Sequence, residues 1–266
     1  MISLPLFKKE IKSNYKILLI FMAILALYVP IMVYMFDPKL GDMLKQFEEA
    51  MPGMMSAMGM TSAGNDLISF LDSYLFGFIL IVFPMIFTIM LANKLVAGYV
   101  DSGSMACILA SPNTRKKIIF TQILVMIINI LLLVLFSTIL AIVTSEIMFP
   151  GQLNIKNYIL MSLSLFLLQL AVAGISFLAS CIFNESKNSF LFGAGIPILL
   201  YLVNMLANMG GNLENLKYAT IFTLLPSSEI AAGKTDILLP ILILVTISIV
   251  LYSVGAYIFT KKDLPL

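Results

Sequence analysis

The chain has 266 residues, 61% hydrophobic and 11% charged, with a net charge of +2 and a mean hydropathy of +1.04. Soluble domains carry about 25% charged residues, so this composition excludes a soluble globular protein. It describes an integral membrane protein, read as one transmembrane domain over residues 1–266.

Residues 1–16 come first. Leu4, Phe7 and Ile11 share a helical face while Lys8, Lys9 and Lys12 lie off it. This spacing predicts a short interfacial helix with a basic rim, suited to anionic headgroups. Six apolar runs follow, each near or above the ~20 residues that cross ~30 Å of hydrocarbon. They are Ile17–Phe36, Leu71–Ala92, Ile118–Val143, Tyr158–Phe183, Ser189–Asn208 and Ile237–Thr260. The first is too long for a signal-peptide core and lacks a small-x-small cleavage site, so it is expected to stay as a span. The third can continue to Met148, with Glu146 at its outer end.

Lysine and arginine set the orientation. Lys8, Lys9, Lys12, Lys16, Lys94, Arg115, Lys116, Lys117, Lys187, Lys261 and Lys262 fall on the side of the termini. Only Lys39, Lys45, Lys156, Lys217 and Lys234 fall on the other. The positive-inside rule then puts both termini in the cytoplasm. Cys107 and Cys181 both lie near that face, where a disulfide is not expected. Arg115 is the only arginine and isoleucine is abundant, a composition in keeping with an AT-rich bacterial genome and a bacterial plasma membrane.

Two external segments are long. In 37–70, Leu40, Met43, Leu44, Phe47 and Met51 form a helical apolar stripe that Pro52-Gly53 interrupts. Met54, Met55, Met58 and Met60 follow, and thioethers favour Cu(I), but Met51, Met54, Met55 and Met58 form a second pattern. Their i, i+3, i+4, i+7 spacing also makes one apolar face of an interfacial helix, which is the preferred reading. In 209–236, the run Tyr218–Leu225 is too short to span but long enough for a re-entrant or interfacial helix.

Within the spans, Asn129, Gln169 and Asn204 sit at membrane depth. Such amides usually hydrogen-bond a neighbouring helix, and the alternative is that they line a translocation path. Pro84 and Pro197 fall mid-span and predict kinks. No Asp, Glu, Lys or Arg lies deep in a span. Asp72, Lys94 and Glu146 are nearest.

The interval Ala97–Lys117 is the longest polar-punctuated stretch on the basic side. Asp101, Ser102 and Ser104 are N-cap types, Ser111-Pro112 is a stop, and Met105, Ile108 and Leu109 share a face between them. Gly103-Ser104-Met105, then Ile108-Leu109-Ala110-Ser111-Pro112 and Thr114-Arg115, resembles the cytoplasmic loop of ABC-2-type transporter permeases. The resemblance implies a coupling helix that touches an ATPase subunit through Gly103, Ser104, Met105, Ile108, Leu109, Pro112 and Arg115. Arg115 would pair there with ATPase acids or with lipid phosphates. Where relatives often carry Glu after this motif, the chain has Ala106. The fold implied is all-α, with six transmembrane helices, a coupling helix between the second and third, and short re-entrant helices before the last. The partners implied are two ATPase subunits, a second permease that is identical or homologous, and membrane lipids. The cargo classes implied are lipids, glycans, peptides and drugs.

Chemistry of other kinds is missing. No Gly-x-x-x-x-Gly-Lys-Ser/Thr or Gly-x-Gly-x-x-Gly loop cradles a phosphate. Without histidine there is no commonplace general base, and no serine has a partner that would activate it. No metal, cofactor, nucleic-acid partner or catalytic residue is expected. The reading is the permease subunit of an ATP-driven exporter of a hydrophobic or amphipathic cargo. Ion-coupled carrier or channel, and non-transporting scaffold, are the alternatives. A carrier usually keeps ionisable groups inside its spans.

Overall fold

The computed structural model describes residues 2–36, 46, 50–60, 66–111, 113–234 and 237–263. Among these the secondary structure is helical throughout. α1 is Leu4–Tyr34 and α2 is Pro52–Ala57. The second span is composite: α3 (Leu67–Leu71), a π-helical stretch Asp72–Ile79, and α4 (Leu80–Leu95). Two short helices follow, α5 (Ala97–Asp101) and α6 (Ser104–Leu109). Then come α7 (Arg115–Met148), α8 (Ile155–Ile182), α9 (Ser186–Asn208), α10 (Ser227–Ala231) and α11 (Leu238–Lys261). Six helical segments are long and apolar enough to cross a membrane, in the order expected from the sequence. The third does run on to Met148, and Glu146 at its end accepts the Gly151 N–H at 3.2 Å.

The N-terminal helix is not separate. α1 is one unbroken helix of 31 residues, about 46 Å long. Its buried stripe is Leu6, Glu10, Asn14, Leu18, Phe21, Leu25, Val29 and Val33, whereas Leu4 is 62% exposed and Phe7 and Ile11 are only half-buried. The expected face is therefore displaced. Once the N-terminal turns continue into the span, packing against α7 selects one stripe for the whole rod. Extended backwards from Val33, that stripe passes through Glu10 and Asn14.

α8 is the central helix, in contact with α4, α7, α9 and α11. Small residues let the neighbours come close. A β-carbon at Gly255 of α11 would lie 2.9 Å from the Phe177 ring, and one at Gly193 of α9 would lie 3.3 Å from the Ser176 Cα. α8 also supplies polar donors. Pro84 has no N–H for the carbonyl of Leu80, and Pro197 none for Gly193. Gln169 Nε2 donates to the Ile81 carbonyl at 3.0 Å and reaches that of Leu80 at 3.5 Å. Ser176 Oγ donates to the Gly193 carbonyl at 2.7 Å.

At the end of the bundle away from the termini, Phe36 stacks edge-on with Phe149 and Phe70, joining α1, α3 and α7. α2 sits against the π stretch, where Gly77 admits the Met58 carbonyl: a β-carbon there would be 2.9 Å from it. Ser56 Oγ donates to the Asn208 carbonyl and Asn208 Nδ2 to the Ala57 carbonyl, linking α2 and α9. The Leu40–Phe47 stripe expected here lies outside the described residues. The run Tyr218–Leu225 is not one helix. A 3₁₀ turn ends at Ala219, Thr220 is extended, and a second 3₁₀ turn covers Phe222–Leu224. Thr220 Oγ1 donates to the Leu200 carbonyl at 2.9 Å, which pins the chain to α9. Tyr218 is left 82% exposed while Phe222 is 3% exposed.

Candidate functional site: the basic end and its short helices

Hydrogen bonds gather the helix ends that carry most of the basic residues. Lys94 Nζ donates to the Ser13 carbonyl at 3.1 Å, and Asn93 Nδ2 to Ser186 Oγ at 2.7 Å. Lys262 Nζ caps the end of α8 through the carbonyls of Cys181 at 3.2 Å and Ile182 at 2.6 Å. Desolvation lowers the pKa of that ammonium from its ordinary lysine value. Cys107 and Cys181 are both free thiols, the first exposed and the second buried.

α5 and α6 lie at this end. Gly103 turns the chain between them with φ +69°, a left-handed conformation that favours glycine. It is the N-cap of α6, and no side chain caps that helix. The capping roles expected for Asp101, Ser102 and Ser104 are thus not taken. Asp101 ends α5, and Ser102 Oγ bonds Ser104 Oγ at 3.0 Å. The helix stops at Leu109, with Ser111 Oγ donating to the Ile108 carbonyl. Pro112 lies outside the described residues. Thr114 caps α7 by accepting the Lys117 N–H.

The apolar face of α6 turns inward. Met105 is 0% and Ile108 8% exposed, and Leu109 packs against the core half-buried. Two of the three side chains expected to meet an ATPase, Met105 and Ile108, are thus covered by the permease itself. A two-turn helix between long spans buries its greasy stripe on the nearest apolar surface, which is its own protein. Asp101, Ser102, Gly103, Cys107 and Ala110 are the exposed positions. Arg115 is likewise engaged within the chain. Its Nη1 donates to the Lys262 carbonyl at 2.6 Å, which ties the start of α7 to the end of α11.

A polar junction that the sequence reading missed lies behind these helices. Glu10, wholly buried on α1, accepts the Tyr99 hydroxyl of α5 at 2.9 Å. Lys9 sits 5.2 Å above the Tyr99 ring. Asn14 Nδ2 donates to the Glu10 carbonyl at 2.8 Å, and Ser3 N donates to Thr121 Oγ1 of α7 at 3.0 Å. Glu10 Oε2, Asn14 Oδ1 and both amide atoms of Gln122 are buried without a hydrogen-bond partner. The signal was available: Glu10 and Asn14 are four apart and in phase with Leu18, so the core stripe carries them.

The three membrane-depth amides are not brought to one surface. Asn129 Nδ2 bonds the Val125 carbonyl of its own helix at 2.7 Å. Gln169 bonds the carbonyls of Leu80 and Ile81, one turn before Pro84. Asn204 lines a cavity of about 430 Å³ at the far end, together with Asp72, Asn208, Glu214 and Ser227. No three of His, Cys, Asp and Glu cluster among the described residues.

Neither the curated proteins nor the solved structures gave a match. A family model did, over residues 4–264, and its description is ABC-2 family transporter protein. That match takes in all six spans and the short helices between the second and third. The chain belongs to the ABC-2 family of transporter proteins.

Proposed function

We infer that this chain is the membrane permease subunit of an ABC transporter and that ATP hydrolysis lies in separate ATPase subunits, as membership of the family implies. We propose that this one exports a hydrophobic or amphipathic molecule, such as a lipid-like compound, a membrane-active peptide or a drug. The working unit holds two permeases, identical or homologous, and two ATPases in a bacterial plasma membrane, with both termini cytoplasmic. The observation that carries the reading is the seating of α6. Met105 and Ile108 fasten it to the permease, and the edge formed by Asp101, Ser102, Gly103 and Cys107 is left open at the basic end. On this reading the ATPase meets the permease at that edge. The walls of the spans, mostly Leu, Ile, Phe and Met, suit a greasy cargo better than an ion or sugar.

The test is reconstitution of the permease with its ATPase in vesicles. Transport is expected to need ATP hydrolysis, to ignore an ionophore, and to run in a particle whose mass fits two copies of each subunit. Transport that persists without the ATPase and collapses with the ionophore overturns the reading.

A further inference from the structure

Two apolar grooves flank the outward side of α7. The larger, about 590 Å³, lies between α7, α8 and α11, with Ile119, Leu170, Ile249 and Ala256 in its walls. The smaller, about 310 Å³, is bounded by Leu124 and Ile2. Phe120, Ile123 and Ile127 line both. Lys116, Phe120, Ile123 and Ile127 follow at i, i+4, i+7 and i+11, one stripe of the helix, with Ile119 and Leu124 on its opposite flanks. The stripe is thus a ridge between two troughs, and its head is a lysine.

Length and charge limit the occupant. From Lys116 to Ile127 is eleven helical steps, about 17 Å, close to the ~15 Å that one leaflet's hydrocarbon contributes to the bilayer core. Along α7 both troughs reach from the basic end as far as Ile127. Each volume falls within the ~300–1,000 Å³ of ligand pockets. Lys116 is exposed at the mouth of the larger groove, and Lys117 follows it. The only ion pair among the described residues is Lys217–Glu214 at the far end, so none of the described carboxylates pairs with Lys116.

We propose that this ridge holds one diacyl anionic phospholipid of the leaflet at the basic end, with its phosphate at Lys116 and one acyl chain in each groove. It is a resident lipid, not the cargo. The assignment rests on the spans lying in a bilayer and is independent of the transport direction.

Native mass spectrometry of the purified full-length permease in mild detergent tests it, with phosphatidylglycerol or phosphatidylcholine added. The wild type is expected to retain one phosphatidylglycerol per chain in preference to phosphatidylcholine. Lys116→Ala should cut phosphatidylglycerol retention about fivefold and leave phosphatidylcholine unchanged, while Lys187→Ala changes neither. Ser253→Trp, which fills the larger groove from its exposed rim, should lower retention of both. Each variant's melting temperature without lipid is to match the wild type. Equal phosphatidylglycerol retention by wild type and Lys116→Ala overturns the proposal, as does a lipid-free dimer whose interface covers the ridge. ATPase and cargo are absent from this measurement, so its failure is separate from failure of the export reading.

Discussion

At the residue scale, the prolines and α8 explain each other. A proline inside a helix leaves the carbonyl four residues back without its partner, and in lipid no water replaces it. α8 places Gln169 at one such carbonyl region and Ser176 at the other. Gln169→Leu should therefore cost about 1 kcal/mol, the scale of hydrogen bonds between membrane helices. In a Pro84→Ala background, where the Leu80 carbonyl regains its own N–H, the same substitution should cost less. Thermal unfolding of the four proteins in one detergent gives the coupling. Equal penalties in the two backgrounds would refute the link between Gln169 and Pro84. The sequence offered Gln169 as an interhelical bond or a pathway residue. It was silent on the pairing with Pro84, because that depends on how α8 is set in height against α4.

At the scale of elements, the short helices show where a pattern informs and where it misleads. The spacing of Met105, Ile108 and Leu109 correctly marked one apolar face, and α6 does run from Ser104 to Leu109. Which way that face turns is a tertiary matter, and α5, with Tyr99, was not foreseen at all. The two faces of α6 should separate cleanly in experiment. Met105→Asp buries a carboxylate with no counter-charge, at a cost of more than about 3 kcal/mol. It should abolish recovery of folded permease before any question of partner binding arises. A bulky maleimide adduct on Cys107 should instead leave the melting temperature alone and weaken ATPase binding at least tenfold. Co-purification of the adduct with undiminished ATPase would move the docking edge elsewhere. α1 teaches the same lesson: the basic N-terminal turns were legible as a helix, but their inward face was set by the register of the long span behind them.

For the whole molecule, six spans and their order were readable because each is a run of apolar residues long enough to cross hydrocarbon, a property of composition and length alone. The far-end segment was less legible. Thr220 interrupts an apolar run there by bonding a carbonyl on α9, a contact no local pattern announces. The chain also carries its own topology reporter, since of its two cysteines only Cys107 is exposed. A membrane-impermeant maleimide should label one site per chain in inside-out vesicles and none in intact cells. Labelling of intact cells to a similar extent would reverse the orientation derived from the lysines.

The unbroken length of α1 has a mechanical consequence. It is a rod fixed to α5 at residue 10 by the Tyr99 hydroxyl and laid along α7. A push on α5 would act through that bond on a single helix rather than on a series of separate packed elements. From Glu10 to Val33 is about 35 Å, and the one soft joint on the way is Pro30. Below that joint the lever is stiff, and above it the last turn can give. A displacement at the basic end would thus meet one continuous helix up to Pro30, just short of the aromatic cluster around Phe36.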